Sequence, residues 1–162
     1  GRLAILCRGS NYKRPDLPGH KWLSFSEDEG ATWSKAVPMT CADGSEIQSA
    51  ATGSALFRSN KNGKVYFIGN LCADGKPANG NWPRSPLHIA EVDESTVSIK
   101  RETITVIDER DEDDTKNTQI SNFRYYQDRA TGDVVVYATR FGENSIKAWK
   151  QADYYQYRVA IV

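Results

Sequence analysis

The sequence predicts an all-β chain folded as consecutive blades of a β-propeller, and three observations predict it. Helical periodicity is almost absent from the 162 residues, whereas short strand-like segments, apolar runs or period-two alternation such as Lys21–Ser26 and Ile99–Ile107, recur between turns. Three blocks, 1–40, 46–110 and 116–162, each open on an apolar strand followed by turn-rich sequence, a loose repeat of about 45 to 60 residues that fits radially arranged antiparallel sheets. One turn, Ser26 to Trp33, has a residue with a physical reason at nearly every position. Ser26 and Asp28 can accept hydrogen bonds from backbone N–H groups, Gly30 can take positive φ, and Trp33 can tuck its ring under the loop as an apolar plug after Thr32.

In the first block, Leu3–Cys7 reads as a buried strand that gives way at Arg8 to polar sequence and a loop through Arg14–Gly19. Lys21–Ser26 alternates with period two, the turn follows, and Trp33–Pro38 returns as an edge strand that Pro38 ends. In the second block, Gly53–Arg58 and Lys64–Asn70 flank Asn60-Lys61-Asn62-Gly63, a strong hairpin signal. A long Gly/Asn/Pro loop from Leu71 to Pro86 precedes a strand at Leu87–Val92, and Ile99–Ile107 reads as one further alternating strand. The third block offers Phe123–Tyr126, a turn at Arg129–Asp133, Val134–Thr139 and Tyr154–Val162, with at most one short helical turn over 146–150. About three four-stranded blades are expected, fewer than the roughly four a closed propeller needs. Closure then calls for further blades or a second copy of the chain, because an open arc leaves strand edges and an apolar face unpaired. Gly1 opens directly on strand-like sequence without Met, so more chain is expected upstream.

Twenty-one basic residues balance twenty-one acidic ones, so no overall field points to nucleic acid or a membrane surface, and no apolar run has the length of a membrane span. Cys7, Cys41 and Cys72 are odd in number, widely spaced and mostly set in apolar sequence, as expected of buried free thiols. With only His20 and His88 to add, both read as structural, no metal site and no cofactor are expected. The acidic run Asp108–Asp114 lacks the glycine and closing glutamate of a calcium loop and reads as a solvated connector.

Chemistry in such an architecture sits where inner strands and their loops converge. Arg8, Asn70 and Arg140 end the first long strand of their blocks at equivalent places. Arginines converging from different blades make a planar, permanently charged clamp for an anionic group; each can equally be a surface arginine paired with a carboxylate. Trp82, in a loop, is a candidate stacking surface for a sugar ring, and Asp16 and Glu143 are loop carboxylates open to acid or base work.

The pattern Ser26-x-Asp28-x-Gly30-x-Thr32-Trp33 resembles the Asp box, or BNR repeat, of sialidase-like (neuraminidase-like) β-propellers. The resemblance covers nearly the whole chain as architecture. It implies a sialidase-type propeller of about six blades in all, with the Asp box as a structural turn rather than a catalytic one. That family holds a substrate carboxylate with three arginines from different blades. Arg8, one hairpin before the Asp box, occupies the place of the second, and Arg84, across a loop from Lys64–Asn70, the place of the third. The first arginine and the acidic catalytic groups fall before Gly1. The family's tyrosine nucleophile has no counterpart in Thr118-Gln119-Ile120-Ser121-Asn122-Phe123, which leaves the catalytic residues unassigned. The resemblance implies a glycan-acting protein, a glycoside hydrolase of exo-sialidase type that recognises an anionic sugar, working outside the cell or in the periplasm. A non-catalytic carbohydrate-binding propeller or a protein-interaction propeller is the alternative.

Overall fold

The computed structural model describes residues 1–143, 145, 147 and 151–162, and over them the chain is all-β, without an α-helix. The short turn expected over 146–150 lies outside the described residues apart from Lys147. Three separate antiparallel sheets follow one another along the chain, and among the described residues they close into neither a barrel nor a ring. The first runs β1 (Leu3–Arg8), β2 (Lys21–Ser26), β3 (Val37–Pro38). The second runs β4 (Ala55–Arg58), β5 (Val65–Gly69), β6 (Leu87–Asp93), with both β7 (Ser98–Ile99) and β8 (Thr105–Asp108) on the far side of β6. The third runs β9 (Arg124–Gln127), β10 (Val134–Thr139), β11 (Tyr154–Val159). The strand count is therefore three, five and three rather than four in each.

The expected continuous strand over Ile99–Ile107 is broken in two by a 3-10 turn at Arg101–Thr103. β7 pairs with Val92 and Asp93, β8 with Leu87 to Ile89. Between them the Thr103 hydroxyl takes over the ladder, accepting from the Glu91 N–H at 2.9 Å and donating to the Lys100 carbonyl at 2.7 Å. A side chain thus satisfies a backbone donor that would otherwise be orphaned in the gap.

Alternation decides how the sheets stack. In β5, Phe67 faces a core shared with the first sheet, which includes Leu23 and Met39, while Ile68 faces a second core shared with Ile120, Val134 and Val136 of the third block. The middle sheet is covered on both faces. β1 is not: Leu6 packs on the first core, but Leu3 and Ile5 on the opposite face are 44% and 43% exposed, and the strand expected to be buried is also an edge, paired with β2 alone. Cys7 is exposed with it, against expectation, whereas Cys41 and Cys72 are buried; all three are free thiols.

The turn after β2 is built as its residues suggest. The Ser26 hydroxyl accepts from the Gly30 N–H at 2.8 Å and donates to Asp28 Oδ1 at 2.8 Å; Asp28 accepts from the Thr32 N–H at 2.9 Å and the Thr32 hydroxyl at 2.6 Å. Gly30 sits at φ +95°, where a side chain is strained. The Trp33 indole N–H donates to the Gly30 carbonyl at 3.1 Å, but the ring is 40% exposed and covers the turn rather than plugging it. The Thr32 hydroxyl, the Thr32 N–H and Ser26 together hold the Asp28 carboxyl down to about 2, from its ordinary 3.8. Because the folded value lies below the unfolded one, this stabilisation is complete above pH 4 and is lost as pH falls through about 2. Asp28→Ala is expected to lower the melting temperature at pH 7, with the gap to the parent closing near pH 2. A gap that does not change with pH would show that the carboxylate is not what holds the turn.

Candidate functional site

The loops that leave β1, β5 and β10 carry the residues of interest, and those of the first two sheets are tied together at one end of the molecule. Asn11 is the main knot: its amide donates to the Ala78 and Leu17 carbonyls at 2.8 and 2.7 Å and its oxygen accepts from the Gly80 N–H at 2.7 Å. This pins the loop over 71–86 against the loop that follows β1. The crossover segment before β4 threads between them, with Ser49 N–H on the Gly19 carbonyl, Cys72 N–H on the Gln48 carbonyl and Ala51 N–H on the Gly80 carbonyl. The third block joins through Ile120, whose N–H donates to the Arg84 carbonyl at 2.7 Å.

The loops that carry Arg8 and Arg84 are neighbours at this end of the molecule, through the Asn11 bonds to Ala78 and Gly80. Burial first, and then the positive charge of Arg8, pull the Arg84 guanidinium below its ordinary value. Arg84 is held by hydrogen bonds from Nε to the Asn81 carbonyl (3.2 Å) and from Nη1 to Gln119 Oε1 (3.1 Å). Arg8 is exposed at the end of β1. Neither has a carboxylate partner among the described residues. Two neighbouring cations without a counter-ion are disfavoured in the free protein and favoured by an arriving anion.

The other expected contacts fall elsewhere. Asn70 is buried, and its amide NH2 donates to the Pro86 and Ile120 carbonyls at 2.7 and 3.1 Å, a strut between the second and third blocks. Trp82 has an exposed ring on the Arg84 loop, with its backbone doubly bonded to Asn79. Asp16 forms a two-pronged pair with Arg14 on the surface.

Arg140, expected to converge with the other arginines on an anion, is 6% exposed and has its donors occupied by the protein's own carboxylates. It bonds Asp108 (2.7 and 2.8 Å), Asp111 (2.8 Å), Asp114, and Glu143 (3.2 Å), and also the Glu109 carbonyl at 3.0 Å. The Tyr157 hydroxyl donates to the same Asp108 at 2.5 Å. Burial works against the Arg140 charge, but the Asp108 bond and the surrounding carboxylates outweigh it and raise the guanidinium above its ordinary value. The acidic run is solvated over 109–113, as expected of a connector, but its two ends are not: Asp108 and Asp114 are largely buried on Arg140, and Asp111 reaches it from the exposed stretch. Glu143, read as a loop carboxylate open to acid or base work, belongs to this cluster.

A cleft of about 400 Å³ opens beside the Arg84 loop, lined by Leu71, Asp74, Pro83, Ser85, His88 and Arg110 among others. His88 is buried, its Nδ1 accepts from the Leu71 N–H at 3.3 Å, and burial lowers its pKa, so it serves as a neutral structural acceptor. Asp74 pairs with Lys76 at 2.9 Å. Among the described residues no group of three His, Cys, Asp or Glu is placed to hold a metal ion, and no helix is long and apolar enough to cross a membrane. No family model matches the chain, and no curated protein matches its sequence.

Proposed function

We propose that the chain is part of a sialidase-type β-propeller that acts on glycans, and that Arg8 and Arg84 hold the anionic group of the sugar. The observation that carries this reading is that Arg8, at the end of β1, and Arg84, on the loop after β5, sit on loops tied to each other through Asn11, and that neither arginine has a carboxylate partner among the described residues. The geometry of the Ser26–Trp33 turn and the serial stacking of three antiparallel sheets, whose corresponding strands β1, β5 and β10 lead into the loops that carried the predicted sites, support it. In this reading each sheet is a blade, the uncovered face of β1 that carries Leu3 and Ile5 meets a further blade, and the protein works outside the cell or in the periplasm.

Hydrolysis is one form of the activity and recognition without turnover is the other. The second is favoured by a specific observation. Thr118 and Ser121 fill the place of the family's nucleophile with buried hydroxyls, and the tyrosines that follow are engaged otherwise: Tyr125 packs on Phe57 (5.2 Å between ring centres) and Tyr126 on Tyr137 (6.3 Å). Titration of the full-length protein with N-acetylneuraminic acid, glucuronic acid and galactose, alongside an assay for release of an aryl sialoside, tests both forms. Anionic sugars should bind and galactose should not. Aryl release assigns a hydrolase, binding without release a lectin-like protein, and equal affinity for galactose removes the anion reading.

A further inference from the structure

A third cation lies at the same end of the molecule. The β1–β2 register sets Lys21 directly opposite Arg8, and side chains in that relation share a face of the sheet. Like charges directly opposite one another disfavour strand pairing. Lys21 is 1% exposed, and lysine is almost never so buried unless it is paired with a carboxylate. Here it has none among the described residues. Its Nζ donates instead to the Ala50 and Thr52 carbonyls, at 2.8 and 2.7 Å, on the crossover segment that enters the second sheet. Two carbonyl dipoles hold an ammonium in place without cancelling its charge.

We propose that Lys21 is the third cation of the Arg8–Arg84 site, a buried ammonium fixed behind Arg8 whose field adds to the attraction for a carboxylate-bearing ligand. The inference rests on the anion reading above. Lys21 is a positioning and charge-supplying residue, since its burial keeps it from touching a sugar, and a charge acting through a poorly solvated interior is screened less than one at the surface. The titratable and charged groups that face it are Arg8 from β1 and Cys72 from the loop after β5, with Asp74 beyond Cys72. Burial, and then Arg8, bring the ammonium down to about 8, with Cys72 opposing slightly. The Cys72 thiol is pushed up to about 11, mainly by burial, and stays neutral over the range that matters. A bound anion favours the charged amine. Binding at pH 9 therefore takes up a proton, and affinity falls about fivefold or more between pH 7 and pH 9.

The experiment is calorimetric titration of the full-length protein with N-acetylneuraminic acid at pH 7 and pH 9, in buffers of differing ionisation enthalpy, on the parent and on Lys21→Met. The parent should bind more weakly at pH 9 with measurable proton uptake. Lys21→Met should bind about tenfold more weakly at pH 7 and lose the pH dependence. Should that variant not fold, proton uptake by the parent decides the matter alone. Affinity independent of pH without proton uptake, while Arg8→Ala still weakens binding, overturns the role of Lys21 and leaves the anion site standing. Failure of N-acetylneuraminic acid and glucuronic acid alike to bind overturns both.

Discussion

Arg140→Ala is expected to destabilise the chain by about 3–5 kcal/mol, the range for removing one partner of a buried ion pair. Asp108, Asp114 and Glu143 are largely buried, and without the guanidinium they face one another with no cation between them. The Tyr157 hydroxyl on Asp108 is too little to compensate. Urea unfolding would show the midpoint drop, and Arg158→Ala supplies the comparison. Arg158 also pairs with two carboxylates, Asp128 and Asp133, but is 45% exposed, so its loss should cost under about 1 kcal/mol. Equal effects of the two substitutions would mean that the Arg140 cluster is solvated in solution. Any folded Arg140→Ala protein should keep its affinity for anionic sugars, because every donor of Arg140 is turned toward the protein.

Arg8→Ala and Arg84→Ala are expected to weaken binding of an anionic sugar by about 1.5–3 kcal/mol each, roughly 10- to 150-fold in Kd, the range for hydrogen bonds to charged groups. Their effects on the unliganded protein should differ. Arg8 has neighbours of its own charge and no counter-ion, so removing it should leave the melting temperature unchanged or raise it. Arg84 also bonds Gln119 and Asn81, so its removal should lower stability slightly. Loss of binding with retained or improved stability is the signature of a residue kept for its ligand. Calorimetry and thermal melts on the same samples would separate this outcome from misfolding.

Most strands were legible because the residues that define them are local. Alternation marks β2, continuous β-branched and aromatic runs mark β5 and β10, the Asn60–Gly63 turn sets the β4–β5 register, and the Ser26–Trp33 turn satisfies its own donors within eight residues. What was illegible depends on partners distant in sequence. The break at Arg101–Thr103 exists because the Thr103 hydroxyl reaches Glu91 across the ladder. The exposure of Leu3 and Ile5 follows from an uncovered face of β1, opposite the one on which Leu6 meets the first core, and no property of Leu3–Cys7 encodes which face is covered. Arg8 and Arg140 look alike in sequence, each an arginine ending a strand, and only the return of the acidic run toward β10 separates a cation without a counter-ion from one enclosed by carboxylates. Lys21 gave no signal, because its place at the head of an alternating strand suits a solvated lysine as well as a buried one.

The double covering of the middle sheet has a mechanical side. Phe67 and Ile68 are adjacent on β5 yet belong to different cores, so this strand is a party wall between two rooms. A shift in one room presses on the other through a single backbone, with no need of a contact between the outer sheets. The loops after β1 and β5 are anchored on opposite sides of the first of those rooms. The separation of Arg8 from Arg84 is therefore a gauge of how tightly that core is packed: a cavity made at Phe67 should be felt as a loosened grip on an anion at the end of the molecule where no core residue reaches.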